Sequence, residues 1–278
     1  GQKYIAGEMN VGTIADFFFY INILIWPFSM VGWVTSVNQR AEASMQRVNE
    51  FLNIKSEIIN TNHDTYDVKG DIEFRNVSYT YPNTGIKALS NISFKIEAGK
   101  SLAIMGKIGS GKSTIALLIS RLIIPDEGEI LIDGKNIKDH NLSLLRQKLG
   151  YVPQESYLFS DTIENNIGFA IDNPSLDLVK KYAIKADIHK NIIEFKEQYQ
   201  TVVGERGVML SGGQKQRICI ARAMIKEPKI LIFDDSLSAL DNETENNILQ
   251  NIQNESTAFT SIIITHRESS AKRADKIL

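Results

Sequence analysis

The stretch G-K-I-G-S-G-K-S-T, residues 106–114, decides the fold class. It follows the apolar run SLAIM (101–105) and precedes a helix-like run from Thr114 to Ile124. That is the strand–loop–helix setting of a phosphate-binding loop. Gly106, Gly109 and Gly111 let the backbone turn tightly and aim its N–H groups at phosphate oxygens, with Lys107, Ile108 and Ser110 between them. Lys112 offers a point charge to the β- and γ-phosphates, the Ser113 hydroxyl offers a ligand to Mg²⁺, and Thr114 opens the helix. A chance glycine-rich turn would need neither the strand before nor the helix after. The expectation is nucleotide binding.

Outward from the loop, ILIF (230–233) and SIIIT (261–265) also read as buried strands of a mainly parallel sheet, with helical stretches between. The class is therefore α/β. Short β-rich runs at 72–81 and 91–96 precede the loop and form a β-subdomain, and 156–210 reads as an inserted helical subdomain. A phosphate-binding loop needs an acidic partner for its metal. Asp234, at the exit of ILIF, is that candidate, and Asp235 follows at once to polarise an attacking water.

The N-terminal part has another character. From Phe17 to Val37 there are 21 residues without a formal charge, FFFYINILIWPFSMVGWVTSV. As a helix they span roughly 31 Å, close to a bilayer's hydrocarbon thickness. The run exceeds the apolar region of a secretory signal. Lys3 precedes it, whereas Arg40, Arg47 and Lys55 follow, so its C-terminal end is expected on the cytoplasmic side. The expected division is 1–39 as the end of a transmembrane domain (span about 14–37), 40–70 as stalk helix and linker, and 71–278 as the nucleotide-binding domain.

Composition narrows the classes. The 278 residues carry 31 basic and 33 acidic side chains, a net charge of -2, which argues against a nucleic-acid partner. With 43% hydrophobic residues the chain is not a disordered tail. The single cysteine, Cys219, excludes an internal disulfide framework.

A second glycine-rich helix start lies at L-S-G-G-Q, Leu210 to Gln214. Ser211 can cap the helix, while Gly212 and Gly213 allow an anion to approach, but no lysine matches Lys112. Alone it is a weak signal. Combined with the 106–114 loop it resembles the ABC ATPase family, whose signature motif is this pentapeptide. The resemblance covers roughly 71–278 and assigns further roles. It implies that Tyr81 stacks on the adenine of ATP, and that Gln154 in YVPQ contacts Mg²⁺ and senses the transmembrane partner. It also makes Ser238 to Asp241 the D-loop and puts His266 at the γ-phosphate. Leu210 to Gln214 would then meet the ATP held by a partner's loop.

A membrane span joined by a stalk to this ATPase resembles an ABC exporter half-transporter, trimmed at both ends. Thr201 to Gly207, T-V-V-G-E-R-G, is similar to the exporters' loop that touches the intracellular loops; Val202 departs from the pattern and Glu205 keeps its second acidic residue. The implied activity is hydrolysis of ATP to ADP and phosphate, coupled to transport across the cell membrane. The implied partners are a second half-transporter and membrane lipid, with the ATPase domain in the cytoplasm. The family's catalytic glutamate is replaced by Asp235, as in heterodimeric exporters with one degenerate, slow site. The rival readings are a soluble ABC ATPase of DNA repair or translation, which the span at 17–37 disfavours, and a peptide-secretion ATPase with an upstream protease.

Overall fold

The computed structural model describes residues 2–7, 10–60, 62–204, 207–254 and 259–278, and the chain divides into two compact units, Gly1–Glu57 and Ile58–Leu278. The first holds a short helix α1 (Gln2–Ile5) and one long helix α2 (Val11–Leu52) of 42 residues. At 1.5 Å per residue α2 is about 63 Å long. It runs unbroken through Pro27, so span and stalk, expected as successive elements, are one helix. No residue of α2 is buried, and Phe17, Phe19, Trp26, Phe28 and Trp33 are 61–75% exposed. A helix this apolar on all sides is long enough to cross a membrane. Two of its polar side chains turn back on the helix backbone: Asn22 donates to the Phe18 carbonyl at 2.9 Å and Thr35 to that of Val31 at 2.8 Å. Such bonds satisfy polar groups where water is absent.

The second unit contains two sheets. The first is antiparallel, in the order β2-β1-β4-β5, built from β1 (Ile72–Thr80), β2 (Lys87–Ile96), β4 (Glu127–Ile132) and β5 (Lys135–Asn136). The second is parallel throughout, in the order β6-β7-β8-β3-β9. Its strands are β3 (Ser101–Ile104), β6 (Leu149–Val152), β7 (Ile230–Asp234), β8 (Thr260–Ile264) and β9 (Lys276–Ile277). Every residue of β7 and β8 is buried, the pattern of central strands covered on both faces. Helix α3 (Lys112–Ile119) leaves the loop after β3, shorter than the run expected to reach Ile124.

Between β6 and β7 lie α5 (Ile163–Gly168), α6 (Leu176–Lys185), α7 (His189–Glu194) and α8 (Gly212–Met224), preceded by the short α4 (Leu142–Gln147). Ile163, Ile167, Val179 and Tyr182 bury against Ile218 and Ile220 of α8, and the cluster continues into Leu231 and Phe233 of β7. The inserted helices therefore share a core with the sheet. Helices α9 (Asn242–Asn254) and α10 (Glu268–Ala271) complete the order. Of the loop at 201–207, Thr201 and Val203 are buried and Val202 is 43% exposed, while Glu205 lies outside the described residues.

The second unit starts at Ile58, ahead of the expected boundary at 71. Polar residues without periodicity gave no signal there, yet they bond to distant loops. The Asn60 side chain accepts from the Leu142 N–H at 2.9 Å, and Asn62 donates to the Asp139 carbonyl at 2.8 Å. Asp133 accepts the backbone N–H groups of Lys69, Gly70 and Asp71 at 2.8–2.9 Å.

Candidate functional site

The loop after β3 turns through Gly109 at φ +81° and Gly111 at φ +88°. A Cβ at Gly111 would lie 2.4 Å from the Ala88 carbonyl oxygen, so only glycine fits. The turn leaves the first N–H groups of α3 without helical partners, and the helix dipole favours an anion there. The Lys112 ammonium lies under the loop, donating to the carbonyls of Gly106 at 2.9 Å and Lys107 at 2.8 Å. It is a cation held within reach of the loop, with no carboxylate among its bonded partners in the described residues.

A cavity of about 420 Å³ opens over this loop. Lining it are Tyr81, Ile108, Gly109, Gly111, Lys112, Ser113, Thr114, Gln154, Asp234, Asp235 and His266. Residues far apart in sequence thus meet at one end of the parallel sheet. The exits of β3, β6, β7 and β8 supply the loop, Gln154, the two aspartates and His266 in turn, as open α/β sheets do for their ligands. Gly106, Lys107 and Ser110 belong to the loop but do not line the cavity. Leu210 to Gln214 do not line it either.

The donor set suits a magnesium nucleotide. The Ser113 hydroxyl donates to Asp234 Oδ1 at 2.8 Å, so the two oxygen groups expected around the metal already face each other. Asp235 has φ +47°, and its Oδ1 is buried without a hydrogen-bond partner, an acceptor left open beside the cavity. Gln154 and His266 are exposed. The Tyr81 hydroxyl pairs with Thr114 Oγ1 at 3.1 Å, and its ring meets Tyr79 edge-on at 5.1 Å.

Two contacts have no counterpart in the sequence reading. The Tyr151 hydroxyl donates to Asp234 Oδ2 at 2.9 Å; burial first, then the charge of Asp234, pushes this phenol's pKa up, so it remains a donor. Arg267, beside His266, donates to the Ser238 carbonyl at 2.8 Å and to that of Leu240 at 3.1 Å, and it pairs with Glu245. It ties the loop after Asp235 to the loop carrying His266. Only strand alternation hinted at Tyr151, which falls on the same sheet face as Ile232 and Asp234.

The helix start at Ser211 is built otherwise. Ser211 Oγ accepts from the Gln214 N–H at 3.2 Å and Gln214 Oε1 accepts from the Ser211 N–H at 2.9 Å, a reciprocal capping box. A Cβ at Gly212 would meet nothing within 4 Å. Leu210 is buried and anchors the turn.

Residues 89–238 match the family described as ABC transporter. The chain is 41% identical over 273 residues to the probable multidrug resistance ABC transporter ATP-binding/permease protein YheI of Bacillus subtilis (strain 168), covering 98% of this chain and 46% of that protein. To the ATP-dependent lipid A-core flippase of Escherichia coli (strain K12) it is 39% identical over 275 residues, 99% of this chain and 47% of the other. A solved structure described as a bacterial Atm1-family ABC exporter with ATP bound superposes with a TM-score of 0.81 at 38% identity, over 98% of this chain and 48% of that one. The chain spans about half the length of the relatives it matches. With the loop, the two aspartates and the signature helix in one α/β unit, the chain belongs to the ABC transporter family and carries its ATP-binding domain.

Proposed function

We propose that this chain is a membrane-spanning helix and the ATP-hydrolysing unit of an ABC exporter half-transporter. The observation that carries the reading is the gathering of Tyr81, Lys112, Ser113, Gln154, Asp234, Asp235 and His266 on one cavity, with the 210–214 motif outside it. Tyr81 receives the adenine, the 106–114 backbone and Lys112 hold the phosphates, and Ser113, Asp234 and Gln154 hold Mg²⁺. When bound, the metal offsets phosphate charge. Asp235 orients the attacking water and His266 faces the γ-phosphate. ATP binding shifts the membrane domain between its two access states, and hydrolysis resets it. The basic residues after the span, and relatives named as exporters and flippases, support a cell-membrane protein with its ATPase unit in the cytoplasm.

The partner is a second half-transporter, preferentially a different chain. The motif at Leu210 to Gln214 lies outside this chain's own cavity and completes the partner's site, while the partner's motif completes this one. Asp235 is one methylene shorter than glutamate, which withdraws the carboxylate by roughly an ångström; a displacement of that order costs about 10²-fold in rate. The intact signature helix beside a shortened catalytic side chain supports a heterodimer in which this chain's own site is slow.

The test compares ATP turnover by the complete gene product, alone and with the half-transporter encoded beside it, for wild type and Asp235→Glu. A gain from the partner and a further gain from the substitution are expected. Rapid turnover by the protein alone, with no gain from either, would refute the degenerate site.

A further inference from the structure

We propose that Tyr151 is a positioning residue for the metal-facing carboxylate of Asp234, holding it in the orientation that presents Oδ1 to Ser113. The inference rests on the reading above that Asp234 and Ser113 hold Mg²⁺.

Asp234 is only 4% exposed, and each of its oxygens meets one hydroxyl. Oδ1 accepts from Ser113 at 2.8 Å and Oδ2 from Tyr151 at 2.9 Å. An aspartate has a broad terminal torsion. Two donors on opposite oxygens remove that freedom, and they come from different elements. Ser113 belongs to the first turn of α3, whereas Tyr151 belongs to β6 and pairs in register with Ile232 of β7. Because β6 and β7 are parallel and Tyr151 lies on the same face as Asp234, its side chain reaches along the sheet to the carboxylate two residues past its register partner.

The division of labour between the two hydroxyls is unequal. The Ser113 hydroxyl and Oδ1 are the groups that would hold the metal, so their bond to each other would be given up when it is bound. The Tyr151 bond lies on the other oxygen and can persist. It keeps the carboxylate aimed while the first bond is exchanged, and it supplies the outer hydrogen bond that metal-ligating carboxylates require. The ring packs against the apolar cluster that includes Leu149 and Ile232, so its packing is separate from its hydrogen bond. Tyr151→Phe removes the hydroxyl and leaves the ring. Gln154 follows three residues later, so one run of chain carries a metal-facing glutamine and the support of the metal-facing aspartate.

The experiment titrates Mg²⁺ into the complete gene product with a fluorescent ATP analogue and reads nucleotide binding, not turnover. Wild type, Tyr151→Phe, Asp234→Asn and the double variant are compared, each also in EDTA and by thermal melting. Tyr151→Phe is expected to raise the Mg²⁺ midpoint about ten-fold. Its affinity in EDTA and its melting temperature should match wild type, and it should add nothing to Asp234→Asn. An unchanged midpoint in Tyr151→Phe would overturn the proposal. So would a loss of affinity in EDTA, which marks a packing role, or effects that multiply in the double variant. If Asp234→Asn itself leaves the midpoint in place, the assignment of Mg²⁺ to Asp234 fails first and takes this inference with it.

Discussion

Ahead of α3 the chain turns through two glycines at positive φ, tucks Lys112 beneath the loop and faces Ser113 toward Asp234. Ahead of α8 it uses Ser211 and Gln214 to satisfy each other and leaves Gly212 facing open space, and the cation at the Gly213 carbonyl is Arg217, one turn along the helix, at 3.3 Å. Both are helix starts able to meet phosphate. The first is a complete cradle whose glycine is demanded by the chain's own backbone. At the second, a Cβ at Gly212 would meet nothing among the described residues, and on the function proposed above the small residue leaves room for a phosphate held by the partner. On the function proposed above, the contrast separates a site that binds from a site that completes another.

The sharpest way to break this comparison is to add one methyl group to each start. Gly111→Ala puts a Cβ against the Ala88 carbonyl at a strained φ, a cost of about 3 kcal/mol or more, and melting should fall steeply. Gly212→Ala meets nothing and lies at a helix N-terminus, so melting should hold or rise by up to about 1 kcal/mol of stability. Its loss should instead be in ATP-dependent pairing of the ATPase units. If Gly212→Ala unfolds the protein, its glycine has a structural role and the contrast collapses.

Next in size is Lys112→Ala. Removing a cation that bonds charged phosphate costs about 1.5–3 kcal/mol, roughly 10- to 100-fold in Mg-ATP affinity by calorimetry. Lys215, four residues after Ser211 on the other helix, should show no such loss when changed to alanine. Equal losses at both would mean that the two starts serve the same nucleotide in one chain.

Smaller effects belong to the cap. Ser211→Ala should cost about 1 kcal/mol of stability, because the Gln214 N–H loses its acceptor. Ser211→Asp keeps an acceptor but places negative charge where a partner's phosphate arrives. Melting of Ser211→Asp should stay near wild type while ATP-driven pairing is lost; preserved pairing would argue against an incoming anion.

The smallest expected effect is pH-dependent and confined to the α3 side. Arg121, just past the end of α3, donates to the His140 carbonyl at 2.9 Å and to the Ile59 carbonyl at 3.0 Å. His140 Nε2 faces the carbonyls of Ile132 at 3.0 Å and Lys135 at 3.2 Å, and Nδ1 pairs with the Tyr66 hydroxyl, an arrangement suited to the neutral ring. Burial, with a smaller push from Lys135, holds the His140 pKa below its ordinary value; the two carbonyl bonds and Asp133 oppose this. The unfolded chain therefore takes up the proton first. The contribution is fully present above the unfolded value of about 6.5 and is lost as pH falls through the lower folded value. Melting measured from pH 8 downward should be flat and then decline from about pH 6.5, and His140→Gln should flatten the decline. A decline unchanged in that variant would assign the acid sensitivity elsewhere.

What could be read in advance followed from local pattern. The 106–114 loop, the burial of 230–233 and 261–265, and the aspartate pair all announce themselves within a few residues, because glycine spacing and apolar runs are local signals. The cap at Ser211 was legible for the same reason. Contacts closed by topology were not. Tyr151 reaches Asp234 only once β6 pairs with β7, and Arg121 joins Ile59 and His140 across intervals that no periodicity marks. The polar stretch after Ile58 looks like a linker because its bonds run to loops near 133–142 rather than along its own chain.

The central claim is that the two helix starts meet across chains. Cysteines at Ser110 and Ser211, with the matching loops of the partner subunit also carrying cysteines and buried Cys219 changed to serine, test it in the complete transporter under mild oxidation. With ATP, disulfides should join the 106–114 loop of one chain to the 210–214 motif of the other, and omitting nucleotide should reduce them. Crosslinks confined to single chains, or identical with and without ATP, would contradict the account.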